Sequence, residues 1–147
     1  IGGSYGGFLA AWAAARSEVF AASVPVAGLM NWLSYHNTSN VGRFDEIFLD
    51  GDPYDPEGPY PKRSPVMYVR GCRTPTLLLH GDQDLACPVS QAQEFHQGLA
   101  SAGCESELVV YKGAGHGMTR REHAIDAHRR IVGWFTRHLR LPGHRDG

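Results

Sequence analysis

Gly2-Gly3-Ser4-Tyr5-Gly6-Gly7 runs directly into an alanine-rich, proline-free stretch, Phe8 through Ala15. Alanine is the strongest helix former, so a helix is expected from Tyr5 to Arg16. The hexapeptide places G-x-S-x-G at the mouth of that helix. A nucleophilic serine needs a sharp strand-to-helix turn that lifts its hydroxyl clear of the backbone. The positions around it must be small, because side chains there would collide in the turn. A helix N-terminus behind Ser4 also favours developing negative charge. The bland alternative is a glycine-rich helix-entry loop with no chemistry. A phosphate cradle fits worse, since the loop lacks the lysine-serine/threonine ending of a Walker motif and G-x-G-x-x-G does not occur.

Working outward, strands and helices alternate. Val19 through Val26 reads as a short buried strand, its far end disturbed by Pro25, which cannot donate to a sheet ladder. Thr74 through Gly81 is a continuous apolar run stopped by glycine, the pattern of a strand covered on both faces. Ser90-Gln91-Ala92-Gln93 has the form of a capping box, opening a helix that Gly103 ends. Glu107 through Tyr111 is a further strand. Ile125, His128, Val132, Phe135 and Leu139 recur at three- and four-residue spacing and mark an amphipathic C-terminal helix. Its other face, with Arg129, Arg130, Arg137 and Arg140, reads as solvated. Between Asn31 and Pro65, five prolines with acidic and aromatic residues break any period, as in a surface excursion with short helices. The alternation predicts an α/β layered fold with a mostly parallel sheet.

At 147 residues and 42% hydrophobic, the chain suits one domain, 1–147, with 141–147 as a small, polar, frayed tail. Its 14 basic and 15 acidic side chains leave a net charge of −1, which offers nucleic acid no basic field. No uncharged apolar run is long enough for a membrane helix. No secretory signal is visible at Ile1. Three scattered cysteines, Cys72, Cys87 and Cys104, do not make a disulfide scaffold and fit a reducing, cytoplasmic setting.

Two further segments carry chemistry. His80-Gly81-Asp82-Gln83-Asp84-Leu85-Ala86-Cys87-Pro88 follows the Leu77–Leu79 strand, where a parallel sheet collects catalytic groups. Asp82 abuts the strand and suits a turn cap; Asp84 lies further into the loop, within reach of a histidine. Lys112-Gly113-Ala114-Gly115-His116-Gly117-Met118 follows the next strand, and a glycine-flanked loop histidine suits a general base that moves between nucleophile and leaving group. The other histidines show no ligand pair at helical spacing, so neither a metal nor a cofactor is expected. The order Ser4, aspartate, His116, each just past a strand, is the chain order of the α/β-hydrolase triad.

These residues resemble the catalytic domain of the prolyl oligopeptidase family of serine peptidases, above all its acylaminoacyl-peptidase and dipeptidyl-peptidase-like members. The likeness runs from Gly2 to about Leu139. It rests on Gly-Gly-Ser-Tyr-Gly-Gly-Phe at 2–8, Asn31-Trp32-Leu33-Ser34, Arg63-Ser64-Pro65 before Tyr68-Val69, Thr74 through Gly81, and Gly115-His116-Gly117. The family places its catalytic aspartate four residues before a proline; with Pro88, that implies Asp84. Cys87 stands where valine is common, which implies a packing role. The resemblance further implies acyl transfer on a peptide substrate, with Ser4 as nucleophile, His116 as base, Asp84 as its orienter and the Tyr5 backbone N–H as an oxyanion donor.

In that family the nucleophile sits mid-domain behind a β-propeller. The resemblance therefore implies the C-terminal half of an α/β-hydrolase fold, without its N-terminal strands, the strand entering the elbow or the second oxyanion donor. Such a fragment is expected to leave the Leu77–Leu79 strand open at a sheet edge. It is also expected to turn over little, and to self-associate or need its complementing half. A carboxylesterase with the same triad, and a non-catalytic binding or assembly module, are the alternatives. Phe8, Trp32, Tyr35 and Phe44 are candidates either for core or for an apolar pocket.

Overall fold

The computed structural model describes residues 1–139; the tail expected to fray at 141–147, and Arg140, lie outside them. A sheet of four strands is parallel throughout, in the order β1 (Gly2–Gly3), β2 (Pro25–Val26), β3 (Thr76–Gly81), β4 (Ser106–Tyr111). Helix α1 (Tyr5–Arg16) spans the residues expected of it. The excursion holds α2 (Trp32–Thr38), α3 (Phe44–Phe48) and α4 (Pro59–Lys62), and a 3₁₀ helix (Pro65–Gly71) leads back to the sheet. Helix α5 (Ser90–Ser101) joins β3 to β4, and α6 (Arg121–His138) closes the described chain.

All six residues of β3 are buried, because both faces of the sheet are covered. Leu78 packs with Ala11 and Ala14 of α1 and with Phe95 and Leu99 of α5 on one face. Leu77 and Leu79 point the other way, against Ala127 and Trp134 of α6. Each of these fully buried leucines contributes roughly 2 kcal/mol of transfer free energy. A third cluster, with Phe8, Leu29, Trp32, Tyr35, Leu49 and Tyr60, joins the excursion to the start of α1.

Several local expectations are corrected. Residues 19–24 do not form the predicted strand: Val19 is 82% and Phe20 47% exposed, and only Pro25 and Val26 pair as β2. Ser23 and Ala27 both donate to the β3 side, at the Pro75 and Leu79 carbonyls. Pro25 lies between them on the same side and has no N–H to give, so the ladder is broken there. β3 is not an edge strand either; it lies between β2 and β4. The strand entering the elbow is present as β1.

Ser90 caps nothing with its side chain, and Val89 occupies the N-cap position of α5. Gln91 is pulled inward instead. Its Oε1 accepts the Met30 and Asn31 N–H groups, both at 2.9 Å, and its Nε2 donates to Ser34 Oγ at 2.7 Å. Three bonds to Met30, Asn31 and Ser34, one buried and two part-buried, outweigh a surface cap. At the other end Gly103 stops the helix as expected, with the Gly103 and Cys104 N–H groups reaching back to the Ala100 and Leu99 carbonyls.

On α6 buried Ala127 and Trp134 and half-buried Ile131 face the sheet; of the expected stripe Phe135 packs beside them, while Ile125 and Leu139 are exposed and Val132 is 64% exposed. The two stripes differ by one residue, about 100° of helix rotation. The Trp134 ring, bulkier than any aliphatic alternative, takes the inner position. Two arginines of the exposed face are paired: Arg130 with Asp126 at 2.6 Å and Arg137 with Glu107 at 3.1 Å.

The excursion has a polar pin that no pattern announced. Buried Asp45 accepts from Tyr60 Oη at 2.6 Å and from His36 Nδ1 at 2.7 Å. Burial pushes the Asp45 carboxyl up, but the hydrogen bonds from Tyr60 and His36 outweigh it and hold it below the usual carboxylate range. Asp45→Ala leaves the buried Tyr60 hydroxyl without an acceptor and should cost about 2–4 kcal/mol, read as a lower urea midpoint. The pH sign follows. A carboxyl whose folded pKa is depressed stabilises the fold above its unfolded value, and that contribution is lost as pH falls from about 4 through the folded value. The wild-type midpoint should therefore drop steeply below that pH, and Asp45→Ala should flatten the drop. An unchanged midpoint at neutral pH would contradict this role.

Candidate active site

Ser4 occupies the turn between β1 and α1 with φ 56° and ψ −120°, a conformation that side-chain-bearing residues seldom adopt. Two hydrogen bonds hold it there: Ser4 N–H to the Val26 carbonyl at 2.9 Å and Phe8 N–H to the Ser4 carbonyl at 3.1 Å. The turn is so tight that a Cβ on Gly2 would overlap the Gly6 carbonyl, with the Gly6 Cα only 2.9 Å away. A Cβ on Gly6 meets nothing within 4 Å, whereas one on Gly7 would lie 2.8 Å from the Val26 carbonyl oxygen and 2.9 Å from the Gly28 Cα.

The Ser4 hydroxyl makes no helix-capping bond. It lies 2.9 Å from His116 Nε2, and His116 Nδ1 lies 2.8 Å from Asp84 Oδ2. An ionised carboxylate only accepts, so Nδ1 carries the proton and Nε2 presents its lone pair to Ser4. Asp84 Oδ1 accepts the N–H groups of Ala86 at 3.0 Å and Cys87 at 2.8 Å. Burial raises the Asp84 pKa, but the bonds from His80, His116 and the Cys87 N–H prevail and hold the carboxyl below its ordinary range. Three groups separated by up to 112 residues thus meet at the C-terminal end of the strands.

Asp82 is the turn residue. Its carboxylate accepts the Gly113 N–H at 2.6 Å, which ties the aspartate loop to the histidine loop. A second tie runs from Gln83 N–H to the Ala114 carbonyl at 2.9 Å. Tyr5 opens α1, so its backbone N–H has no acceptor within the helix and lies one peptide unit from Ser4.

The aromatic residues divide between two clefts. Tyr35 and Phe44, with Leu29, Val41 and Cys87, wall a cleft of about 230 Å³ that contains Ser4 and His116. Phe8 and Trp32 face a separate cleft of about 280 Å³, which shares only Tyr5 with the first. Burial, and then the nearby Asp84 charge, push the Cys87 thiol up to about 12, so it packs the cleft wall as a neutral group. Among the described residues no cluster of three or more His, Cys, Asp or Glu side chains is arranged to hold a metal ion. None of the described helices is long and apolar enough to cross a membrane.

One group was missed. His80 follows the three leucines of β3, and its Nε2 lies 2.6 Å from the Cys87 carbonyl and 3.4 Å from Asp84 Oδ2. The signal was available: a histidine directly after three buried leucines must find a polar partner.

Comparison with known proteins identifies the family. The sequence profile of the prolyl oligopeptidase family matches residues 1–141. The chain belongs to the prolyl oligopeptidase family. It is 35% identical over 142 residues to the uncharacterized peptidase YuxL of Bacillus subtilis, covering 94% of this chain and 22% of that protein. It is 30% identical over 145 residues to dipeptidyl-peptidase 5 of Porphyromonas gingivalis, covering 95% of this chain and 21% of that one. The solved structure of uncomplexed Pyrococcus horikoshii acylaminoacyl peptidase superposes with a TM-score of 0.87 at 30% identity, over 99% of this chain and 24% of the other. The chain thus spans between a fifth and a quarter of these relatives, and its fold is part of their α/β-hydrolase domain.

Proposed function

We propose that this member of the prolyl oligopeptidase family is a serine peptidase that cleaves short or N-acylated peptides through an acyl-enzyme formed on Ser4. The unbroken hydrogen-bond run from Ser4 through His116 to Asp84 carries this reading. His116 Nε2 takes the Ser4 proton as Oγ attacks the peptide carbonyl, and Asp84 holds the imidazole tautomer and faces the imidazolium that results. The Tyr5 N–H donates to the oxyanion. Collapse expels the amine, which takes its proton from His116. Water, deprotonated in turn by His116, then releases the acyl group. The apolar cleft beside Ser4 suits an apolar substrate side chain. Acylaminoacyl-peptidase and dipeptidyl-peptidase relatives point to the same substrate class.

The discriminating measurement is kcat/KM on N-acyl-peptide p-nitroanilides beside p-nitrophenyl esters. Turnover of the acyl peptides supports the peptidase. A large preference for short esters would make the protein a carboxylesterase. No turnover of either would leave a binding module. Among the described residues β1 has no neighbour on its outer side, so the isolated chain is expected to self-associate or to require a complementing segment. A compact monomer with full turnover in size-exclusion chromatography contradicts that expectation.

A further inference from the structure

We propose that His80 is a positioning residue for the Ser4–His116–Asp84 relay, acting through the Cys87 backbone; this rests on the peptidase function above. His80 is 1% exposed, one residue before the end of β3. A carbonyl can only accept, so the 2.6 Å contact with Cys87 requires the proton on His80 Nε2. The Cys87 backbone is therefore held on both sides of its Cα: its N–H is held by Asp84 Oδ1 at 2.8 Å and its C=O by His80. That grip closes the loop around Asp84 and fixes the angle at which the carboxylate meets His116. The Nε2–H also lies 3.4 Å from Oδ2, the oxygen that accepts from His116.

Without the donor, a buried carbonyl must open the loop or admit water, and either change turns the Asp84 carboxylate. Relay alignment matters most as the imidazolium forms, so the loss falls on kcat rather than on substrate binding. A histidine that merely fills core space would behave differently, and side-chain reach separates the two roles. Glutamine carries its amide donor as far out as Nε2, whereas asparagine stops near the Nδ1 position.

The test uses the intact protein with the variants His80→Gln, His80→Asn and His80→Phe. Each is read for kcat and KM on a p-nitrophenyl ester and for the rate of Ser4 labelling by a fluorophosphonate, with circular dichroism reporting the fold. His80→Asn and His80→Phe should lose about 10–100-fold in kcat with KM little changed, while His80→Gln stays near wild type. Should His80→Phe fail to fold, the Gln–Asn contrast decides alone. Wild-type kcat in a folded Asn or Phe variant, or a Gln variant as slow as the Asn one, would overturn the proposal. Wild-type protein that never labels at Ser4 would instead remove the peptidase reading beneath it.

Discussion

Asp84→Asn should lower kcat/KM about 10⁴-fold while leaving the fold and the cleft in place. The reason is directional. Asp84 Oδ1 is committed to the Ala86 and Cys87 N–H groups, so the amide oxygen keeps that place and the new NH₂ faces His116. Nδ1 must then accept, and the ring proton moves to Nε2, where it points at Ser4. A ring with its proton on Nε2 cannot take another from the hydroxyl. Steady-state kinetics, with the thermal midpoint as a control, check this. An Asp84→Asn protein within tenfold of wild type would mean that the carboxylate does not set the tautomer.

Gly81→Ala should damage both stability and turnover, although the residue touches no substrate. A Cβ there would overlap the Ala114 carbonyl and approach the Gly115 oxygen to 2.7 Å. Both atoms are backbone of the loop that carries His116, so neither yields by a rotamer change. Relief requires moving the loop away from β3, against the ties at Gln83 and Asp82. Overpacking of this kind costs about 3 kcal/mol of stability. Displacing the imidazole by about an ångström costs roughly 10² in kcat/KM. Gly115→Ala is the matched control, since its Cβ would come no closer than 3.9 Å to another residue. Urea unfolding and kinetics on the two variants should therefore diverge. Equal behaviour would show that the histidine loop tolerates movement.

The parts of the fold that could be read from sequence were those with a local cause. Helix α1 was legible because alanine favours helix wherever it lies, and β3 because a run of leucines ended by glycine has few other uses. Ser4 and His116 were legible because glycine neighbours mark tight or mobile backbone. Asp84 needed the family pattern: spacing alone did not separate it from Asp82, whose role depends on Gly113, 31 residues away. What failed depended on partners far along the chain. The capping box expected of Ser90 and Gln93 does not form, while Gln91 between them serves backbone groups 60 and 61 residues distant. On α6 two stripes fitted the helical period, and only the sheet beneath decides between Ile131 and Val132. The Asp45 pin joins residues 9 and 15 positions apart across irregular backbone, where no period exists to reveal them.

The most direct trial of the Ser4–His116–Asp84 relay is covalent labelling of the intact protein with a fluorophosphonate, located by peptide mass mapping. One adduct on Ser4, lost in Ser4→Ala and slowed by orders of magnitude in His116→Ala, is the predicted result. No adduct, an adduct on another residue, or undiminished labelling of His116→Ala would show that the relay does not activate this serine.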